Sequence, residues 1–295
     1  MVKTHSAHVR PLGIHLSIAG GVSRALDRAG ALGIDTMQIF LQSPNKWDPP
    51  DIPEEEVRRF MQRKQELHIQ NIFAHSIYLI NLASDGDMRA RSTASLAGEL
   101  RTAELLGIAY LVVHPGSRKE KEESRAITDI ASAIDVALDL SGTSAVTVLL
   151  ETTAGQGSSV GHRFGHLRDI IAASRNPSRL KVCIDTCHIF AAGYDFTDEE
   201  GYQHTIEEFT AVLGLDALKL IHLNDSKKEA GSRVDRHEHI GSGLIGDKGF
   251  SLLLRDRRLR TVPLVLETPK FNDTEADIAN LKKVRSLITK KGGPV

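Results

Sequence analysis

Eight short apolar runs recur along the chain, and six of them lead straight into a histidine or a carboxylate. The runs read LGIHLSI, TMQIFL, NIFAHS, YLVVHPG, VTVLLET, LKVCIDT, LKLIHLND and VPLVLET, and the last six deliver His75, His114, Glu151, Asp185, His222 and Glu267 in turn. Their length and their content of Val, Ile and Leu suit buried strands. Between them lie amphipathic stretches that predict helices beginning near Val22, Pro53, Asp87, Lys121, His162, Gly201, Asp247 and Asp273. Pro53 followed by Glu54, Glu55 and Glu56 is a strong start signal, because acidic side chains suit the first helical turn. Strands alternating with helices predict a parallel sheet. Eight such units in 295 residues predict an α/β fold, a (β/α)8 TIM barrel, over a nine-unit count or an open doubly wound sheet. In a barrel all C-terminal strand ends meet at one mouth, so ligands scattered along the chain converge there.

No Pro/Gly/Ser-rich linker divides the sequence. It is read as one barrel domain over residues 1–295, with 1–10 and 291–295 as flexible tails. The longest polar connection runs from Ser226 to about Gly246, after the seventh strand, and a loop that long in a compact domain predicts function. No apolar run reaches about 18 residues, so no membrane span is expected. The start, MVKTHSAHVRPLG, lacks a secretory core, which predicts a cytoplasmic protein. Two cysteines, Cys183 and Cys187, support neither a disulfide scaffold nor a cysteine-rich zinc module. With 37 basic against 38 acidic residues, global charge says nothing for or against a nucleic-acid partner.

Three further donors join the six at the strand ends: His188, Asp235 and His237. All nine offer nitrogen or oxygen, which suits Zn²⁺, or Mn²⁺ in its place, and does not suit an iron–sulfur cluster. Asp185 and His188 are three apart at a strand end and can turn toward neighbouring ions, while Asp235 and His237 share one side of an extended segment. Glu151 and Glu267 end strands on the functional face of a barrel, where a carboxylate with two oxygens can bridge metals; they are the candidate catalytic residues. A lone strand-end histidine is usually only a half-buried, hydrogen-bonded residue. Nine ionisable groups at successive strand ends would carry a large desolvation cost without a cation, so a metal site is expected. Of the remaining histidines, His15 points from the first strand toward the same mouth. His239 is a weaker ligand candidate, His5 and His8 read as tail residues, and His68, His162, His166 and His204 are read as helical.

The segments GIHLSIAGG, HSIYLINLA, HPGS, LLETTAGQGSSVG, CIDTCHIFAAGYD, HLNDSK, DRHEHIGSGLIG and LETP closely resemble those of endonuclease IV, the zinc-dependent apurinic/apyrimidinic endonuclease family. The resemblance implies a (β/α)8 barrel with three zinc ions that cleaves double-stranded DNA 5′ to an abasic site. Nothing in the sequence demands a partner subunit, so a monomer is expected. It implies that His75, His114 and Glu151 hold one ion, and that Glu151 bridges to a second held by Asp185, His222 and Glu267. His188, Asp235 and His237 would hold the third. Tyr78 matches a position that penetrates the DNA helix. In SPNKW the family commonly has arginine directly after the proline, whereas here Asn45 stands there and Lys46 follows; Asn cannot supply that cation. Trp47 is read as packing its loop. The competing readings are a xylose-isomerase-like sugar isomerase or epimerase, which needs fewer ligands, and a non-catalytic lesion-binding protein.

Overall fold

The structure is a computed structural model that describes residues 10–47, 51–270 and 274–289. Eight parallel strands close into a barrel: β1 (Leu12–Leu16), β2 (Thr36–Phe40), β3 (Asn71–His75), β4 (Tyr110–Val113), β5 (Thr147–Glu151), β6 (Leu180–Asp185), β7 (Leu218–His222) and β8 (Leu264–Leu266). Neighbours in space are neighbours in sequence, and β1 pairs with both β2 and β8 to shut the seam. The eight-unit reading therefore holds.

The helices are α1 (Ser23–Leu32), α2 (Glu54–Glu66), α3 (Gly86–Leu105), α4 (Glu123–Ser141), α5 (Phe164–Ala173), α6 (Thr186–Ala192), α7 (Glu199–Leu213), α8 (Gly246–Arg255) and α9 (Glu275–Thr289). Glu54, Glu55 and Glu56 do fill the first turn of α2. The eighth predicted start, Asp273, lies outside the described residues. One helix escapes the periodicity: α6 has seven residues, too few to show a repeating apolar face. It starts because the Asp185 carboxylate accepts the His188 N–H at 2.8 Å, and it stops at Gly193, whose φ of 114° a side chain would resist. His68 follows α2 with a φ of 52°, and His162 precedes α5, so neither is helical as expected; His166 and His204 are.

The core has two layers. A large shell of Leu, Ile, Val, Ala and Phe fills the space between strands and helices. Inside the barrel, Phe73, Val112, Leu149, Cys183, Leu220 and Val265 make a separate buried plug, capped by Tyr110. Arg10, placed in a tail by the sequence, is buried and donates to the carbonyls of Leu253 and Leu254 near the end of α8. The long polar segment after β7 is not structureless: Asp225–Ser226 pairs antiparallel with His237–Glu238. Among the described residues no helix is long and apolar enough to cross a membrane.

Candidate metal centre

Side chains alternate across a strand, so residues two apart share a face. Each member of the inner plug lies two positions before a candidate ligand: Phe73 and His75, Val112 and His114, Leu149 and Glu151, Cys183 and Asp185, Leu220 and His222, Val265 and Glu267. The plug faces the barrel axis, and the same alternation aims all six donors into the mouth above it. The apolar layer thus forms the floor of the site. His188 arrives on α6, while Asp235 and His237 arrive on the ribbon after β7.

Glu151 is the centre, fully buried. Its Oε2 lies 3.1 Å from His75 Nε2 and 2.9 Å from His114 Nε2; its Oε1 lies 3.0 Å from His222 Nδ1 and 3.3 Å from His188 Nδ1. Donor atoms within 4.8 Å of one another form four groups: His75, His114 and Glu151; Glu151, Asp185, His222 and Glu267; Asp185, His188 and His237; and Cys187, Asp235 and His237. The first two coincide with the first two expected sets. The third expected set is less compact: Asp235 meets His188 through Oδ2 at 3.0 Å and His237 through Oδ1 at 3.3 Å.

Four of the five rings are also anchored by a carbonyl oxygen. His75 Nδ1 donates to Ser76 O at 2.7 Å, His188 Nδ1 to Thr152 O at 2.8 Å, His222 Nε2 to the Gln38 side-chain oxygen at 2.8 Å, and His237 Nδ1 to Glu267 O at 3.2 Å. A carbonyl oxygen can only accept, so that nitrogen carries a proton, and the other nitrogen faces a carboxylate: Glu151 for His75 and His222, Asp235 for His188 and His237. That is how metal-bound histidines are held in orientation. His237 Nε2 is buried and makes no well-aligned hydrogen bond, although it faces two carboxylates, Asp235 Oδ1 at 3.3 Å and Asp185 Oδ2 at 3.6 Å.

Electrostatics points the same way. Burial pushes the Glu151 carboxyl up, but the His114 and His222 rings outweigh it and hold the group well below the usual carboxylate range. Burial opposes charge on His222, yet Cys183, Glu267 and Glu151 raise it well above an ordinary imidazole; Asp185, Asp235 and Glu151 do the same for His188. His237 is lifted against burial to about 9, chiefly by Asp185. Imidazolium rings balance the carboxylates here, and cations can take their place by releasing those protons. The donor set fits divalent metal.

Several supporting residues were not singled out from the sequence. The Gln38 amide donates to Glu267 Oε1 at 2.6 Å while its oxygen receives His222. Asn224 donates to Asp185 Oδ2 at 2.6 Å and accepts the Glu267 N–H at 2.8 Å. The available signal was a polar residue amid an apolar strand, as Gln38 is in TMQIF. His15, expected at this mouth, contacts Glu267 at 3.2 Å. His239 instead meets Asn280 at 2.9 Å.

Tyr78 stands on the rim, 63% exposed, with its ring 5.3 Å from Phe40 and 5.9 Å from His75. Asn45 and Lys46 are exposed on the loop after β2. Trp47 packs against the core under Arg91, whose guanidinium lies 4.7 Å from the ring centre. Beside the donors opens a cavity of about 580 Å³, lined by residues including His15, Phe40, Pro44, Tyr78, Glu267 and Lys270.

Barrel, mouth and ligand pattern define a class: the xylose isomerase-like TIM barrel family, whose pattern matches residues 26–286. Within that class, a probable endonuclease 4 of Geobacter sulfurreducens is 44% identical over 281 residues, covering 95% of each chain. The crystal structure of endonuclease IV from Thermus thermophilus superposes with a TM-score of 0.85 at 38% identity, covering 96% of this chain and all of that one. D-psicose 3-epimerase from Clostridium cellulolyticum shares the fold alone, with a TM-score of 0.65 at 14% identity and coverage of 94% and 99%. The chain belongs to the endonuclease IV family and is a phosphodiester hydrolase.

Proposed function

We propose that this chain repairs DNA by hydrolysing the phosphodiester 5′ to an abasic site in a duplex, leaving a 3′-hydroxyl and a 5′-deoxyribose phosphate. The observation that carries the reading is the convergence of nine donors, with four rings turned by carbonyl anchors toward shared carboxylates. In this reading three Zn²⁺ ions are held by His75, His114 and Glu151, by Glu151, Asp185, His222 and Glu267, and by His188, Asp235 and His237. Mn²⁺ is an acceptable substitute. Divalent cations there would acidify water toward neutral pH and offset phosphate charge. Three of them against four carboxylates leave an excess of about two positive charges, which suits an anionic substrate.

The protein's own part is positioning. Glu151 lies between the His75–His114 pair and the His188–His222 pair and would join the first two ions. Gln38 holds His222 and Glu267 in register with one side chain. A phosphodiester in straight duplex cannot enter a barrel mouth, so the lesion must be turned out of the helix. The cavity beside Glu267 has room for the extruded sugar, and Tyr78 would fill the gap left behind. Asn45 and Lys46 would meet the backbone nearby. We place the enzyme in the cytoplasm as a monomer; its two cysteines are free and buried, as a reducing compartment keeps them.

The test is a labelled duplex with one abasic analogue, incubated with and without a strong chelator. Cleavage on the 5′ side that chelation abolishes is expected, and intact duplex at full metal loading refutes the proposal. Metal analysis separates the isomerase reading, since about three ions per chain support the nuclease and one supports a sugar isomerase.

A further inference from the structure

The ribbon that delivers Asp235 and His237 has to be held in shape by something other than those two donors, and one side chain stands at its neck. Asp225, buried, lies three residues past the end of β7, in the short strand that starts the segment. Its Oδ1 accepts the N–H of Ser226 at 2.8 Å and of Ile245 at 3.0 Å. Its Oδ2 accepts the N–H of Gly241 at 2.9 Å and of Gly243 at 3.0 Å. A carboxylate has about four acceptor positions, and all are used. Three of the four donors belong to the returning end of the loop, up to 20 residues away. The Leu244 N–H adds a bond to Ser226 O at 2.8 Å. The outgoing and returning ends are thereby tied at one point, with Asp235 and His237 between them.

We propose that Asp225 is the positioning residue of the third metal: it fixes the loop that carries Asp235 and His237, and without it that ion is lost while the other two remain. The inference rests on the trinuclear reading above. None of the donors proposed for the other two ions, His75, His114, Glu151, Asp185, His222 and Glu267, belongs to this loop. Asn at 225 keeps one oxygen and turns an amide N–H₂ toward two backbone N–H donors, so half the clamp is broken. Gly243 offers a second route to the same break. A Cβ there would press on the Ser226 carbonyl and lie 2.5 Å from Asp225 Oδ1, forcing the neck open with the carboxylate intact.

The experiment measures zinc per full-length chain by native mass spectrometry during a zinc titration, for wild type, Asp225→Asn and Gly243→Ala. In parallel, amide hydrogen exchange is followed across residues 226–246 in chelated protein. Both variants should hold two ions as wild type does and bind the third about 10- to 100-fold more weakly, the usual effect of losing a residue that supports ligands. Exchange at Gly241, Gly243 and Ile245 should quicken. A role in stability alone would weaken all three ions together, and that result overturns the proposal. So does wild-type affinity for the third ion in both variants, or unchanged loop protection. Fewer than three ions on the wild type refutes the trinuclear reading instead, and the exchange data then decide the clamp by themselves.

Discussion

Glu99 gives the sharpest quantitative prediction. It sits on the inner face of α3, fully buried, and accepts the Ile77 N–H at 3.0 Å and the Gln42 amide at 3.2 Å, both through Oε1. Its Oε2 and the Gln42 Oε1 have no hydrogen-bond partner among the described residues. Burial outweighs both hydrogen bonds and pushes the carboxyl from an ordinary 4.5 up to about 8. A raised folded-state pKa means that the stabilisation is complete below about pH 4.5, where the group is protonated folded or unfolded. It is lost progressively as the pH rises toward 8. Each unit is worth about 1.4 kcal/mol, so the loss reaches about 3 kcal/mol at pH 7 and about 5 kcal/mol above pH 8. Glu99→Gln has the same shape and nothing to ionise. Urea unfolding of both proteins at pH 5, 7 and 8.5, at equal metal loading, should show the variant gaining on wild type by those amounts. Parallel stability curves would refute the argument, because they would mean that Glu99 does not enter the fold as the neutral acid.

Three further outcomes are expected. Glu151→Gln removes a buried charge that touches four rings; a loss of about 3–5 kcal/mol should weaken metal binding and cleavage at least 100-fold, read by metal titration and duplex cleavage. Stripping metal should lower the melting temperature and adding zinc should restore it, because each site contributes about 2.7 kcal/mol when free zinc is a hundredfold above its dissociation constant; an unchanged melting temperature counts against these donors binding metal. Asn45→Arg should tighten binding to abasic duplex and steepen its salt dependence by about one phosphate contact, and no change would mean that this loop does not touch the backbone.

The barrel was legible because a strand with both faces covered must be short and apolar, and a ligand that ends it interrupts that pattern visibly. His75, Glu151, Asp185 and His222 are the last residues of their strands, where the sequence placed them. The ordering of supports was not legible. Gln38 and Asn224 act through hydrogen bonds that join residues as far as 229 positions apart, and no local spacing encodes such a bond. The helix α6 was missed because seven residues hold fewer than two full turns of pattern. Glu99 was passed over for the opposite reason: a single acid in a helix reads as solvent-facing until its neighbours are known.

The seam of the barrel has a consequence for how the protein comes into being. The first strand cannot close the ring until the last has been made, since β1 pairs with β8. Glu267 follows that last strand, so the four-donor group of Glu151, Asp185, His222 and Glu267 is incomplete until residue 267 has been made. At about 5–20 residues per second, several seconds or more separate the making of Glu151 from that of Glu267. A product truncated before Glu267 would have the earlier histidines and no closed cage. For a nuclease, late closure is a safeguard: the donor set is withheld until the last strand of the barrel exists.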